Sequence, residues 1–181
     1  MKEGEVSFAD SVRKELLAYL PSSKEEAEAE LCGLFPCLSD AGNGALFVRS
    51  DNAALPRKVF TLLEKAYNIN GVISSGKCRI GGRGGYRVET VPGPEAYLAK
   101  LSAAPETLPD DVFCHAFLRG AFLVSGTVSD PAKAYRFEIV CGDEERAACV
   151  RRVLRTFGLE AKQAVRGDDR VVYLQDGKQA A

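Results

Sequence analysis

The sequence has no long hydrophobic run. No apolar stretch approaches the ~20 residues that a membrane-spanning helix needs, and the N-terminus lacks the apolar region of a signal peptide. No membrane partner is expected, and a cytoplasmic location is the default. A charge excess is missing too: 24 Lys and Arg stand against 25 Asp and Glu, a net charge of −1. Such a chain has no global attraction for nucleic acid, so any nucleic-acid surface must be a local patch. Histidine is almost absent. The single His115 adjoins Cys114, and helical neighbours point about 100° apart, which disfavours both a Cys–His catalytic pair and a shared metal. Cys32 and Cys37, five apart, fit a common metal no better. No cofactor or metal site is therefore expected. Cys32, Cys37, Cys78, Cys114, Cys141 and Cys149 fall inside apolar helix and strand patterns, and read as small buried hydrophobes rather than a disulfide framework.

What is present is an ordinary globular composition, 46% hydrophobic and 27% charged over 181 residues, enough for one domain or two small ones. The chain is organised around Ala116-Phe-Leu-Arg-Gly120-Ala-Phe-Leu-Val-Ser-Gly126-Thr-Val-Ser-Asp-Pro131, an apolar helix that contains a glycine and is released into a turn. Ala29, Leu31, Gly33 and Phe35 precede Ala116, Leu118, Gly120 and Phe122 at one constant offset of 87 residues. Small residues four apart (Ala29, Gly33 and Cys37; Ala116 and Gly120, followed by Val124) line one face of each helix, where they let two backbones approach closely. A surface helix would gain nothing from that glycine, which costs about 1 kcal/mol against alanine. The pattern predicts two related helices packed tightly together, one from each half.

The remaining signals alternate. Ser7 caps a first helix with Asp10 in its first turn, and Ser22 and Ser23 with Glu25 and Glu26 form capping boxes for the first core helix, which Pro36 should kink or end. Residues 45–50 have strand character; Asp51 or Asn52 is expected to cap the next helix, with Pro56 in its first turn. Gly71 to Val91 reads as a hairpin whose tip, Gly81 to Gly85, lacks the Lys-Ser/Thr and following helix of a phosphate-binding loop. A short helix should cover Glu95 to Leu101, and Pro105 to Pro109 is the one clear linker. The second half repeats the order: core helix from Asp111, strand Tyr135 to Cys141, helix Asp143 to Phe157 stopped by Gly158, then a hairpin turned at Gly167-Asp168-Asp169. The scheme leaves room for one further strand before or after each core helix. The expected class is α+β: two small antiparallel sheets backed by helices, in a pseudo-two-fold repeat with the core helices paired at the repeat interface. The division is 1–104, a leading helix plus the first repeat, and 105–181, the second. The chain stops just after a strand, which points to a truncated polypeptide.

These residues resemble a diverged LAGLIDADG pair, the central helices of the homing-endonuclease fold. The whole chain resembles the N-terminal two-thirds of the WhiA family of bacterial regulators of sporulation and cell division. The likeness runs through Ser7-Phe8, Lys14-Glu15-Leu16 and Asp51-Asn-Ala-Ala54, most specifically through Leu118-Arg-Gly-Ala-Phe-Leu123 with Gly126-Thr-Val-Ser-Asp-Pro131, and through Phe137-Glu-Ile-Val140; Pro36 departs from it. The resemblance implies a C-terminal helix-turn-helix domain, the main DNA-binding element of that family, which this chain does not contain. It also implies that in active nucleases each motif supplies one carboxylate to hold divalent metal, a task suited to carboxylate oxygens. The matching positions are Leu38 and Ser125; Asp40 lies two past Leu38, but its counterpart is Thr127. No catalytic site is expected. Nuclease relatives lay hairpins into the DNA major groove, where Lys and Arg reach phosphates and guanine edges. By that analogy Lys77, Arg79, Arg83 and Arg87 on the first hairpin, and Lys162, Arg166 and Arg170 on the second, are the candidate DNA contacts.

The reading is a non-catalytic, DNA-associated, nucleoid-located transcriptional regulator of the sporulation and cell-division type, expected to be monomeric. Its nuclease-like fold would serve as scaffold or auxiliary DNA surface, with duplex DNA bound mainly by the absent domain and a further protein partner in transcription. The alternatives are a protein-interaction module that docks another regulator, and a residual metal-dependent endonuclease.

Overall fold

The computed structural model describes residues 7–80, 83–91, 93–102, 109–132 and 135–175, and for 70–80, 83 and 91 the backbone alone. The chain forms two compact units: Leu20–Val124, and the N-terminal helix together with everything from Ser125 onward. Core helix 111–125, assigned by sequence to the second repeat, thus packs almost entirely within the first unit.

In the Leu20–Val124 unit, α2 (Lys24–Leu34) starts where the Ser23 hydroxyl accepts the Glu26 N–H at 3.1 Å and the Glu26 carboxylate accepts the Ser22 N–H at 2.7 Å. (α1, Phe8–Ala18, precedes it and belongs to the other unit.) Pro36 has no N–H with which to continue the helix. The chain leaves α2 at Leu34, passes through a 3-10 turn (Phe35–Cys37) and enters β1 (Leu38–Gly42). Cys37 is buried, but it lies in that turn and not on the α-helix. β2 (Ala45–Val48) returns after Gly42, Asn43 and Gly44, all at positive φ. α3 (Ala54–Tyr67) begins one residue later than the expected cap: Ala53 is the N-cap residue, and the Asn52 side chain accepts the Ala54 N–H at 2.9 Å. β3 (Asn70–Ile80) and β4 (Arg83–Val91) complete an antiparallel sheet of order β1-β2-β4-β3. α4 (Glu95–Ser102) buries Tyr97, whose ring stacks on Tyr67 at 5.9 Å and whose hydroxyl meets Thr90 at 3.2 Å.

α5 (Asp111–Ser125) packs on α2 with its backbone. A Cβ placed on Gly33 would lie 2.2 Å from the Phe117 carbonyl oxygen, and one on Gly120 would lie 2.2 Å from that of Glu30. Ala29 and Ala116, one turn away on each helix, are fully buried, whereas Val124 is half-exposed. Beside this contact lies a buried charge network. Lys58 Nζ of α3 sits 2.8 Å from Glu30 Oε1 of α2, both side chains being essentially inaccessible. Arg119 Nη2 of α5 bonds Glu26 at 2.7 Å and approaches the second Glu30 oxygen at 3.3 Å. Two acids and two bases balance, so no net charge is buried. Burial nevertheless pulls the Lys58 ammonium below its ordinary pKa, against the opposing pull of Glu30.

The second unit holds α1 and the sheet β5 (Gly126–Val128), β6 (Arg136–Cys141), β7 (Lys162–Arg166) and β8 (Asp169–Gln175), with α6 (Glu144–Thr156) between β6 and β7. Its order, β5-β6-β8-β7, repeats that of the first sheet. Ser7 caps α1 through the Asp10 N–H at 3.1 Å, and Arg13 of α1 donates to the Gly126 carbonyl. Asp143 caps α6 at the Arg146 N–H, 2.7 Å away, and Gly158 ends the helix at φ +72°. Ala147, Val150, Val153 and Leu154 of α6 are buried, as are Ile139, Cys141 and Val172 of the sheet. In each sheet the strand after the core helix (β1, β5) is the one that the apolar periodicity left undefined. The architecture is the expected mixed α+β class.

The helix contact makes two predictions. Gly120→Leu should lose about 3 kcal/mol or more by overpacking, a fall in Tm of roughly 6–12 °C. Gly142→Ala, where a Cβ meets nothing within 4 Å, should leave Tm unchanged. An unshifted Gly120 variant in thermal unfolding would rule out the contact. Separately, Glu30→Ala should cost about 3–5 kcal/mol by stranding Lys58, and Glu30→Leu combined with Lys58→Met should recover most of that loss. Chemical denaturation of the single and double variants reads both.

Candidate nucleic-acid interface

Strand alternation sorts the second hairpin's basic residues onto opposite faces of the sheet. Glu138 pairs with Thr127 and Tyr173, and Tyr173 with Lys162, so these four form one row across the sheet. Two-residue steps place Arg136 and Arg166 on the same face. Ile139 and Val172, nearly inaccessible, form the next row and point the other way. Arg170 pairs with Cys141 and Val165 and so shares the face of Ile139 and Val172. There its Nε donates to Glu144 of α6 at 3.1 Å.

The face that carries Lys162 and Arg166 therefore includes Arg136, which the sequence reading did not single out, and excludes Arg170. It also carries an acid. Glu138 accepts from Arg136 Nε at 3.0 Å and lies 3.7 Å from Arg166 Nη2. Asp169, the partner of Arg166 in the register, adds a second. Three cations against two carboxylates leave only a small basic excess. The Glu138–Arg136 pair could have been anticipated from two-residue spacing on one strand; the approach of Arg166 required the sheet.

In the first sheet Arg87 has a structural task. Its guanidinium reaches across β2 and donates to the Ala41 and Gly42 carbonyls at 3.1 and 3.0 Å, tying down the β1–β2 turn. The register pairs Lys77 with Tyr86, Arg79 with Gly84 and Ile80 with Arg83. The side chains of Lys77, Arg79 and Arg83 lie outside the described residues, as do Gly81 and Gly82. Gly85 has a packing reason to be glycine: a Cβ there would meet the Val48 carbonyl at 2.4 Å and the Phe47 ring at 2.5 Å.

Leu38 and Ser125, which the sequence resemblance aligns with the nuclease acids, are integrated into the scaffold. Leu38 is buried at the start of β1. Ser125 ends α5, and its hydroxyl donates to the Val140 carbonyl at 2.6 Å. Asp40 uses its carboxylate locally, accepting the Gly42 N–H at 2.6 Å. Among the described residues no group of three or more His, Cys, Asp or Glu is arranged to hold a metal. His115 is exposed on α5, with Nδ1 2.8 Å from the Asp111 carbonyl oxygen. Cys37, Cys114, Cys141 and Cys149 are buried free thiols and Cys32 is partly exposed, while the Cys78 side chain lies outside the described residues. Burial pushes the Cys141 thiol up to about 12. A cleft of about 420 Å³ at the C-terminal end of α5 is lined by Arg49, Ser50, Asp51, Leu55, Gly84, Leu123 and Val124. The Arg49 guanidinium donates to the Pro36 carbonyl at 3.1 Å.

Comparison with known proteins places this fold. A crystal structure of the N-terminal LAGLIDADG domain of WhiA superposes with a TM-score of 0.70 at 22% identity, covering 94% of this chain and 87% of that one. The homing endonuclease I-DmoI, solved in complex with DNA and Mn, superposes at 0.59 and 15% identity, over 83% of this chain and 90% of that one. The chain thus has the LAGLIDADG homing-endonuclease-like fold.

Residues 114–181 match the family model for the WhiA LAGLIDADG-like domain. Over 96% of its length the chain is also similar to proteins named "Probable cell division protein WhiA", 29% identical in Lachnoclostridium phytofermentans and 31% in Clostridium acetobutylicum. The resemblance read from Leu118 to Pro131 is borne out. The chain spans 62% of the length of each of these relatives. No described helix is long and apolar enough to cross a membrane.

The face assignment predicts that Arg170→Ala, on the α6 side, leaves DNA affinity within about twofold of the parent. Removing Arg136, Lys162 and Arg166 together should lower the salt slope of binding by one to three units. Titrations of a labelled duplex at several salt concentrations separate the two.

Proposed function

We propose that this chain is the LAGLIDADG-like portion of a WhiA-type regulator, and that it associates with duplex DNA without cutting it. The observation that carries the reading is the occupancy of the two nuclease acid positions. Leu38 cannot ligate a divalent cation, and Ser125 commits its hydroxyl to a backbone carbonyl; metal-assisted phosphodiester hydrolysis needs carboxylate ligands in those places. The fold's other users support DNA association, since I-DmoI is solved on DNA. The small basic excess on the β5–β8 sheet supports a weak auxiliary contact rather than a high-affinity site. In this reading sequence-specific DNA binding belongs to a helix-turn-helix domain outside this chain, the protein acts in the nucleoid as a monomer, and the division into repeats 1–104 and 105–181 reflects duplication of one unit. The competing reading is a module that docks another regulator and leaves DNA entirely to the other domain.

Two measurements test this. A highly pure sample incubated with supercoiled or linear duplex and Mg²⁺ or Mn²⁺ should produce no cleavage; reproducible divalent-dependent cutting would overturn the non-catalytic assignment. Binding to duplex should be weak, largely nonspecific and steeply salt-dependent, by about one log–log unit per phosphate contact. The variant Lys77→Ala/Arg79→Ala/Arg83→Ala should lower that slope by about two or three units with folding intact. Unchanged slope and affinity in this variant, joined to a helix-turn-helix domain, would remove the first hairpin as a DNA surface.

A further inference from the structure

The start of α5 lies beside one face of α2 and leaves a groove between them. Glu25, Glu28, Ala29 and Cys32 of α2 recur at helical spacing along one wall; Pro109, Asp110, Val112 and Phe113 form the other. The groove holds about 280 Å³, at the small end of the ~300–1,000 Å³ of small-molecule sites and suited to a few side chains rather than a cofactor. Its floor is apolar. Val112 is 52% exposed, and the Phe113 ring is stacked on Phe117 at 6.0 Å.

The charge at the rim has one sign. Glu25, Glu28 and Asp110 are the ionisable carboxylates that line it, and no Lys or Arg does. Glu28 is bound to Lys100, whose ammonium also lies 5.5 Å over the Tyr67 ring. Glu25 and Asp110 form no ion pair with a described cation. The Glu25 carboxylate is held below its ordinary pKa by its own backbone N–H and the Ser23 hydroxyl, so it stays ionised. Asp110 accepts the Phe113 N–H at 2.7 Å, which fixes it at the rim. The N-termini of α2 and α5 each add roughly half a positive charge, and Lys24 adjoins Glu25; these reduce the negative potential without reversing it.

We propose that this groove docks a basic amphipathic helix from a partner protein, whose apolar side chains enter against Val112, Phe113 and Cys32 while Lys or Arg residues meet Glu25 and Asp110. An exposed valine beside a half-open apolar cavity is the anchor such a helix needs, and the acidic rim selects its charge. The assignment is independent of whether the sheets touch DNA, because the acidic rim disfavours phosphate.

The test uses the full chain and a fluorescent peptide of about 16 residues, with Leu at i, i+3, i+4 and i+7 spacing and Lys elsewhere, beside a counterpart with Glu for every Lys. The Lys peptide should bind at least about tenfold tighter than the Glu peptide, weaken with salt, and protect Cys32 from maleimide labelling as read by peptide mass mapping. Val112→Asp should reduce its affinity about tenfold or more, and Glu25→Lys should reduce both affinity and salt dependence. Both changes lie at exposed positions, so circular dichroism should show an unchanged fold; Val112→Ser gives a second, milder anchor deletion. Wild-type affinity in these variants, or equal Cys32 labelling with and without saturating peptide, would overturn the proposal. So would a self-associated chain that Val112→Asp dissociates, since the occupant would then be a second copy.

Discussion

The first unit depends on one steric constraint: the backbones of α2 and α5 touch at Gly33 and Gly120. A Cβ at either position would lie 2.2 Å from a carbonyl oxygen of the opposite helix, which no rotamer change can relieve because the obstruction is main chain. Close approach of the axes brings Glu30 and Arg119 into reach of each other. It also lets Lys58 complete a buried network at 2.8 Å from Glu30. Isolated, each buried ion would cost several kcal/mol; together they are near balance, and the pair's geometry becomes exacting. The network thus ties α3 to the helix pair.

In the same scaffold, Leu38 and Ser125 are the positions that the sequence resemblance aligns with the nuclease acids. Both have structural contacts: Leu38 is buried among apolar side chains, and Ser125 donates a hydrogen bond to the Val140 carbonyl. The hairpin arginines are likewise only in part available for recognition. Arg87 holds the β1–β2 turn, Arg170 reaches back to α6, and Arg136 and Arg166 share Glu138. Charge–charge pairs at exposed positions contribute at most about 1 kcal/mol each.

Helix caps, helix ends and the repeat were legible in the order of residues because their causes are local. Ser7, Ser23 and Asp143 each accept an N–H three residues on, Pro36 ends α2, and Gly158 ends α6 at φ +72°. The constant 87-residue offset of Ala, Leu, Gly and Phe exposed the repeat, and the stretch from Leu118 to Pro131 carried the family. The strands β1 and β5 were not legible, since Leu38-Ser-Asp-Ala-Gly42 has no apolar alternation and Gly126-Thr-Val128 is only three residues long.

Tertiary structure decided where the charges go. Nothing in the spacing of Glu26, Glu30, Lys58 and Arg119 announces a buried network, because its members come from three helices and look like ordinary surface charges in sequence. Nor could strand alternation within one hairpin say which face of the sheet meets α6. Only the register of β8 on β6, which sets Arg170 beside Cys141 and Lys162 in the row of Glu138, turned one arginine inward and left the others outside. Local sequence fixes a residue's backbone and its alternation along an element; the face that alternation presents to solvent is set by packing against elements distant in the chain.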